Sequence, residues 1–247
     1  MPDAATLVLL VGVGLLAGAI SGVVGFGSAV LLLPVCHAAF GPLPSVGILT
    51  VAALIGNLSR VGLWWRDVRW GVVWRFWLGG VPFALLGSLL LVSLNVAVLS
   101  VVFGAFVIAL VPMRRGLEKT ERRMKLGQFP VLGAAMGFLS AVVSTSGPIN
   151  APFFLSYGLT GGAYVSTEAL CTAGIHLTKS LAYGRFAALD TSGIATGLGL
   201  GLCLLIGAAA SKPWVLRLRK ERFVVVVEAF LILAGGLMTA QGLAAMA

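Results

Sequence analysis

A short polar segment, residues 144–150, interrupts an apolar stretch and has the composition of an anion-binding loop. Thr145 or Ser146 suits the N-cap of a new helix, and Pro148 suits its first position. The free N–H groups and the positive dipole end of that helix would then face the loop, where they attract anions. Hydroxyl and amide side chains add further hydrogen-bond donors. The candidate binding residues of this segment are Ser144, Thr145, Ser146, Gly147 and Asn150.

A second interruption lies near the N-terminus, at Gly25, Phe26, Gly27 and Ser28. The two glycines leave the backbone open for the close approach of a ligand. Two such breaks that face each other would form a compact cradle for one anion. The glycines before this break recur at four-residue intervals, which is typical of tight helix packing rather than binding. They are Gly14, Gly18 and Gly22.

Asn57 and His176 lie inside apolar segments, where polar side chains are costly and often functional. His176 could donate to an anion or carry a proton, or it could be one satisfied buried imidazole. Lys179 follows one turn later and could attract anions from an external vestibule or extend to the membrane interface. Arg60 is the residue that corresponds to Lys179 in the internal repeat described below, and we expect it at the other face of the membrane. Asn57, His176 and Lys179 complete the candidate binding residues.

Two glutamates also lie within apolar segments. Glu168 stands in a polar patch, and two placements stay open for it: near a membrane face, or paired with Lys179 or His176. Glu228 is about a turn and a half inside the last segment, which predicts an interfacial position.

Catalytic and cofactor motifs are absent from the sequence. His37 and His176 are the only histidines, and no HExxH, GxSxG or Walker A pattern occurs. Residues 12–17 fit the dinucleotide fingerprint formally, but they lie inside an apolar segment with no strand before them. The three cysteines lack metal-type spacing. We therefore expect a protein that is not an enzyme and that has no cofactor and no metal.

The composition is that of an integral membrane protein made of helices. Of 247 residues, 59% are hydrophobic and 10% are charged, against about 25% charged in soluble domains. A helix needs roughly 20 apolar residues to cross a bilayer. About eight such segments occur, at residues 4–36, 41–59, 70–92, 94–113, 129–157, 161–178, 191–211 and 223–247.

An internal repeat divides the chain. An offset of 119 residues aligns residues 14–60 with 133–179 without gaps, and it places Asn57 on His176 and Arg60 on Lys179. We therefore predict a first membrane repeat at 1–113, a basic connector at 114–125 and a second membrane repeat at 126–247. Transporters are often built from such repeats, with the substrate site at the interface between them.

The distribution of positive charge favours an inverted repeat. The net charge is +9, and the basic residues lie in loops beside membrane segments, so orientation explains them better than nucleic-acid binding does. Nearly all of them fall on one side if segment 129–157 enters and returns on the same face. The repeat extends this behaviour to segment 4–36. The result is an all-α protein with six crossings and two re-entrant or broken hairpins, its basic loops cytoplasmic and both termini outside.

The glycine–serine stretch at 14–27, followed by Pro34, resembles the signature of the TauE/SafE sulfite exporter family. Three further features are similar to that family: the repeat of this stretch at 133–152, Asn57, and the basic central loop. Ser28 and Ala29 depart from it, because they replace the usual run of glycines. The resemblance implies a secondary transporter of the bacterial inner membrane, without an organic cofactor, for small sulfur-containing anions such as sulfite or organosulfonates.

These features predict a transporter that works by alternating access and binds its anion between the two breaks. The expected partners are a small anion, a coupling proton or ion, and the lipid bilayer, but no nucleic acid. Two alternatives stay open: a non-transporting membrane assembly or maturation factor, and a passive anion channel. The anion, the direction of transport, the coupling ion and the oligomeric state are not predicted, and it stays open whether residues 4–36 cross the membrane or re-enter.

Overall fold

The computed structural model describes residues 4–90, 108, 112, 123–143, 147–185 and 190–244, and every regular element in these ranges is helical. This confirms the predicted all-α membrane protein. The α-helices in these ranges are α1 (Ala4–Val24), α2 (Ser28–Phe40), α3 (Pro42–Leu63), α4 (Trp70–Leu90), α5 (Phe129–Val143), α6 (Gly147–Tyr157), α7 (Gly161–Arg185), α8 (Thr191–Arg217) and α9 (Lys220–Ala244). The predicted segment at 94–113, apart from 108 and 112, and most of the connector at 114–125 lie outside them.

Helix length separates crossing helices from short limbs. By length and composition α1, α3, α4 and α8 can cross a membrane. In contrast, α2, α5 and α6 have 13, 15 and 11 residues, which is about 16–22 Å of helix against about 30 Å of hydrocarbon. The α5–α6 pair therefore has the dimensions of a re-entrant hairpin. In the first hairpin the 21 residues of α1 suffice by length for a crossing, and the chain breaks between α1 and α2.

The chain breaks where the glycines predicted it would. Gly25 and Gly27 have φ values of 88° and 100°, in the left-handed region that favours glycine. The Gly25 N–H still donates to the Ser21 carbonyl at 2.8 Å, and α2 starts at Ser28. In the second repeat α5 ends at Val143 and α6 begins at Gly147.

Glycines bring α1 into backbone contact with α8, as their spacing predicted. A Cβ on Gly18 would lie 2.8 Å from the Cα of Leu204, and one on Gly22 would lie 2.8 Å from the Cα of Ala208. Only glycine permits so close an approach.

The same kind of contact joins α4 to α5. A Cβ on Gly137 would lie 3.0 Å from the Cα of Gly80, and one on Gly87 would lie 2.8 Å from the Phe138 carbonyl oxygen. The first limb of each hairpin is thus packed against a helix of the other repeat.

The order of contacts gives the helix directions. Along α1 and α8, Gly14 meets Cys203 and Gly22 meets Ala208, so the two helices run the same way. Similarly, Ile48 of α3 meets Gly197 of α8, and Gly56 meets Leu204.

Helix α7 runs opposite to α3. Gly162, near the start of α7, meets Trp64 at the end of α3, and Glu168 interacts with Arg60 one turn earlier on α3. Opposed directions of equivalent helices are those of an inverted repeat.

One end of the bundle collects the basic connections. Lys212, on α8, donates to the Leu63 carbonyl at 2.8 Å and lies 5.0 Å from the centre of the Trp64 ring. Gly71 faces Leu126, just before α5. Near this end in the chain are Arg66, Arg69, Arg75, Arg123, Lys125, Arg217 and Arg219. The side of the membrane on which these residues lie stays a prediction.

Candidate functional site

The buried polar residues concentrate where α3 crosses α7. Helix α7 carries Tyr164, Glu168, Thr172 and His176 at intervals of four, which places them on one face. None of the four is more than 6% exposed. On α3, Asn57 and Arg60 are 2% and 4% exposed and lie on successive turns.

Arg60 is the cation at the centre of this crossing. Its guanidinium donates to the side-chain amide oxygen of Asn57, but its Nε has no hydrogen-bond partner among the described residues. Glu168 and Tyr164 are near enough to interact with Arg60 electrostatically. A guanidinium has five N–H donors in a planar fork, so Arg60 keeps donors for a ligand.

Glu168 connects α7 to the second hairpin. Its Oε1 accepts from the Thr172 hydroxyl at 2.8 Å and from the Asn150 amide at 3.4 Å, whereas Oε2 has no partner. Asn150 lies one turn inside α6, close after the second break. Glu168 is 1% exposed, so it lies inside the protein and not near a membrane face. It is paired with neither Lys179 nor His176.

Lys179 is fully buried and donates to the Ser140 carbonyl of α5 at 2.7 Å. The two interpretations from the sequence were that Lys179 extends to the interface or opens onto a vestibule. In this structure its side chain does neither. A lysine ammonium is favourable beside Ser140, because α5 ends three residues after Ser140 and the negative end of the α5 dipole lies nearby. His176, one turn before it, interacts electrostatically with Lys179 and Arg60, and its Nδ1 has no hydrogen-bond partner.

The first break touches the site through Tyr164. A Cβ on Gly25 would lie 3.3 Å from Cζ of this ring, and the buried Tyr164 hydroxyl has no hydrogen-bond partner. Gly27 and Phe26 instead face Phe230 of α9, with the two phenyl rings edge to face at 5.6 Å. Gly25 is therefore the residue of this break nearest the crossing.

The structure brings together part of the predicted site. Asn57 contacts Arg60, Asn150 contacts Glu168, and Gly25 contacts Tyr164. The remaining candidates lie around this centre or outside the described residues. His176 and Lys179 are farther along α7, Ser28 and Gly147 are the first residues of α2 and α6, and Ser144, Thr145 and Ser146 are not described.

Three central residues are missing from the sequence prediction: Arg60, Glu168 and Tyr164. Arg60 was assigned to a membrane face, but it follows Asn57 by three residues and therefore shares its helix face. The four-residue spacing from Tyr164 through Glu168 to His176 is the signal that identifies the α7 face.

The charges of the cluster favour an anion. Arg60 and Lys179 contribute +2 and Glu168 contributes −1, a formal sum of +1 with His176 neutral. Charged groups inside a membrane protein are costly and mark substrate or ion pathways. Within the described ranges no group of three or more His, Cys, Asp or Glu residues could hold a metal ion.

No curated protein and no solved structure matches the chain. The model of one family does match it, over residues 10–238, a range that holds both breaks and the whole polar cluster. The chain therefore belongs to the family described as sulfite exporter TauE/SafE.

Proposed function

We propose that this protein is a secondary permease that moves a small sulfur-containing anion, such as sulfite or an organosulfonate, across the bacterial inner membrane by alternating access. One observation carries the proposal: two buried donors, Arg60 Nε and the Tyr164 hydroxyl, have no hydrogen-bond partner in the part of the chain that the structure describes. Family membership supplies the class of anion.

Unsatisfied buried donors point to a ligand because they are destabilising when left empty. Each costs about 1–3 kcal/mol, and more when the group is charged. Sulfite and sulfonate groups have three oxygens that accept hydrogen bonds, and a guanidinium fork suits such an oxyanion. We place the anion beside Arg60 and Tyr164, with Asn57 holding the guanidinium in position.

The position of the site supports alternating access. Arg60 lies on α3 and Glu168 on α7, which are equivalent helices of the two repeats that run in opposite directions. One break approaches through Gly25 and the other through Asn150 on α6. Inverted-repeat transporters place their substrate between broken helices in this manner.

We further propose that the basic end of the bundle faces the cytoplasm, because Lys and Arg are retained on that side. The anion site would then be reached from the cytoplasm past Trp64 and Lys212. A labelling experiment with a membrane-impermeant thiol reagent on a cysteine at Arg66 tests this orientation. Labelling of intact cells from outside would contradict it.

The central test is flux of labelled sulfite, methanesulfonate and sulfate in proteoliposomes, with Arg60→Lys beside the wild type. The variant keeps the charge that faces Glu168 but loses the planar fork. We expect at least about a 10-fold rise in the concentration for half-maximal flux, since a hydrogen bond to a charged group contributes about 1.5–3 kcal/mol.

Arg75→Lys is the matched control, because Arg75 is exposed on α4 and donates only to the Gly71 carbonyl. Equal behaviour of the two variants would overturn the assignment of the anion to Arg60. Flux that does not saturate would indicate a passive channel. A wild type without any anion flux would favour an assembly factor.

A further inference from the structure

Glu168 has an arrangement that the binding of an anion does not explain. It is a carboxylate inside a membrane protein, 1% exposed, with one oxygen held by two donors and the other oxygen without a partner. An anion-binding site would gain from having no carboxylate there at all. We propose that Glu168 binds a proton that enters and leaves together with the anion, so that the permease is a proton–anion symporter; this rests on the proposed function.

Few titratable or charged groups face Glu168. Arg60 approaches from α3, and Tyr164 and Cys171 lie on α7 itself. From α6 the facing group is Asn150, which does not titrate. Whether Glu168 is charged or protonated is therefore set mainly by Arg60 and by the ligand that binds beside Arg60.

Arg60 neutralises Glu168 only while the site is empty. An anion that binds the guanidinium becomes a second negative group beside the same cation. Two like charges held close together inside a protein repel each other strongly. A proton on Glu168 removes this repulsion.

The proton also supplies a contact. A protonated carboxyl donates one hydrogen bond, and Oε2 is free to carry the proton because Thr172 and Asn150 both bind Oε1. The anion can then accept from this O–H. Each ligand thus strengthens the binding of the other by the same factor, as thermodynamic linkage requires.

The structure favours Glu168 over His176, the residue to which the sequence assigned the proton. His176 interacts electrostatically with both Lys179 and Arg60, so an imidazolium would add a third positive charge to two others. Glu168 faces one cation, Arg60. When the anion binds Arg60, protonation of Glu168 becomes favourable.

Symport of one proton with one monovalent anion moves no net charge. The membrane potential does work on any net charge that crosses the membrane, but none on a neutral pair. A pH gradient should therefore drive accumulation of the anion, and a potential should not.

The test uses labelled methanesulfonate in proteoliposomes, under two conditions. In counterflow, anion exchanges for anion and no net proton movement is needed. In the second condition a pH gradient, acidic outside, is imposed while potassium and valinomycin clamp the potential. The wild type should perform both. Glu168→Gln keeps the shape and the acceptor of the protonated acid, so its gradient-driven accumulation should fall at least about 10-fold further than its own counterflow does.

A second measurement does not depend on transport. A pH-indicator dye with detergent-solubilised protein should record uptake of about one proton per methanesulfonate bound in the wild type, and none in Glu168→Gln. Glu228→Gln is the matched control, because Glu228 is a second buried glutamate, 3% exposed, on α9 and not on the α7 face. It should behave as the wild type.

The outcomes are distinguishable. Gradient-driven accumulation by Glu168→Gln that falls no further than its counterflow, or wild-type binding without proton uptake, would overturn the symport proposal and leave the permease intact. Loss of proton uptake in Glu228→Gln alone would mean that Glu228, and not Glu168, binds the proton, and it would also overturn the symport proposal. Failure of the wild type even in counterflow would contradict the proposed function itself.

Discussion

The predicted repeat pairs Arg60 with Lys179, but the surroundings of the two residues differ. The Arg60 guanidinium binds the Asn57 side chain and faces a carboxylate, whereas the Lys179 ammonium binds the Ser140 backbone carbonyl. The reason is in the sequence: the equivalent of Glu168 in the first repeat is Leu49. The site is therefore asymmetric, because Arg60 faces a carboxylate and Lys179 faces a backbone carbonyl.

Tyr164→Phe separates binding from stability at this site. The Tyr164 hydroxyl is buried and has no protein partner, so its removal should leave the melting temperature unchanged or slightly raised. If the hydroxyl donates to the bound anion, half-maximal flux should require roughly 10-fold or more anion, because charged hydrogen bonds contribute about 1.5–3 kcal/mol.

Tyr157→Phe is the matched change, on a tyrosine that packs edge to face on Phe129. It should leave the anion concentration for half-maximal flux as it is. Unaltered flux in Tyr164→Phe would place the anion elsewhere along the crossing.

Polar residues in apolar segments were recognisable from the sequence, but their partners were not. Asn57 and His176 stand out because their neighbours are apolar. Glu168 was visible as well, yet its position relative to Arg60 depends on the antiparallel crossing of two helices about 110 residues apart. No local pattern encodes that crossing.

At the scale of helices, glycines determine which elements touch. Gly14, Gly18 and Gly22 form one face of α1, and each meets α8. Without side chains in between, the two backbones approach closely enough for dispersion contacts along the whole seam. Gly12 lies outside this face and has open space around it.

Gly18→Ala and Gly12→Ala form a matched pair. The new Cβ at position 18 would lie 2.8 Å from the Leu204 Cα and 3.0 Å from the Cys203 carbonyl oxygen, so the helices must separate. Overpacking of this kind costs about 1–3 kcal/mol. We expect a melting temperature about 2–10 °C lower in detergent for Gly18→Ala.

Gly12→Ala should leave the melting temperature unchanged or slightly raised, because the added methyl meets nothing and alanine has the higher helix propensity. Equal destabilisation by both changes would contradict the assignment of the loss to the α1–α8 seam.

The sequence predicted the helix breaks more accurately than the helix lengths. Gly25 and Gly27 adopt the conformations that only glycine adopts readily, so their position was readable. The length of α1 was not, because its apolar run continues through the break into α2 without a change in composition. The predicted anion loop at 144–146 lies outside the described residues.

For the molecule as a whole, helix packing does not follow the repeats. One buried cluster joins α1, α2 and α3 to α8, and a second is centred on α4, α5, α6 and α7. Each group contains one helix from the other repeat. If access alternates, we expect these two groups to move against each other at the α3–α7 crossing, where Arg60 meets Glu168.

A disulfide between the repeats tests which bodies move. The ideal Cβ at position 14 lies 3.0 Å from the Cβ of Cys203, and a small shift reaches the roughly 3.5–4.5 Å of a disulfide. Gly14→Cys, with Cys36 and Cys171 replaced by alanine, would then join α1 to α8. We expect methanesulfonate counterflow to continue after oxidation, because both helices belong to one group.

The reduced form of the same variant is the control for the substitutions. Arrest of counterflow on oxidation, with recovery on reduction, would mean that the sequence repeats themselves move as rigid halves.

The α1–α8 seam also sets the order in which the protein can be assembled during synthesis. The residues of α8 that meet Gly14 and Gly22 follow them by almost 190 residues, which at about 5–20 residues per second is roughly 10–40 s of translation. During that interval α1 is in the bilayer with lipid against its glycine face. By contrast α4 meets α5 after about 50 residues. The second group of helices can therefore mature first, and the first group closes only when the ribosome has almost finished.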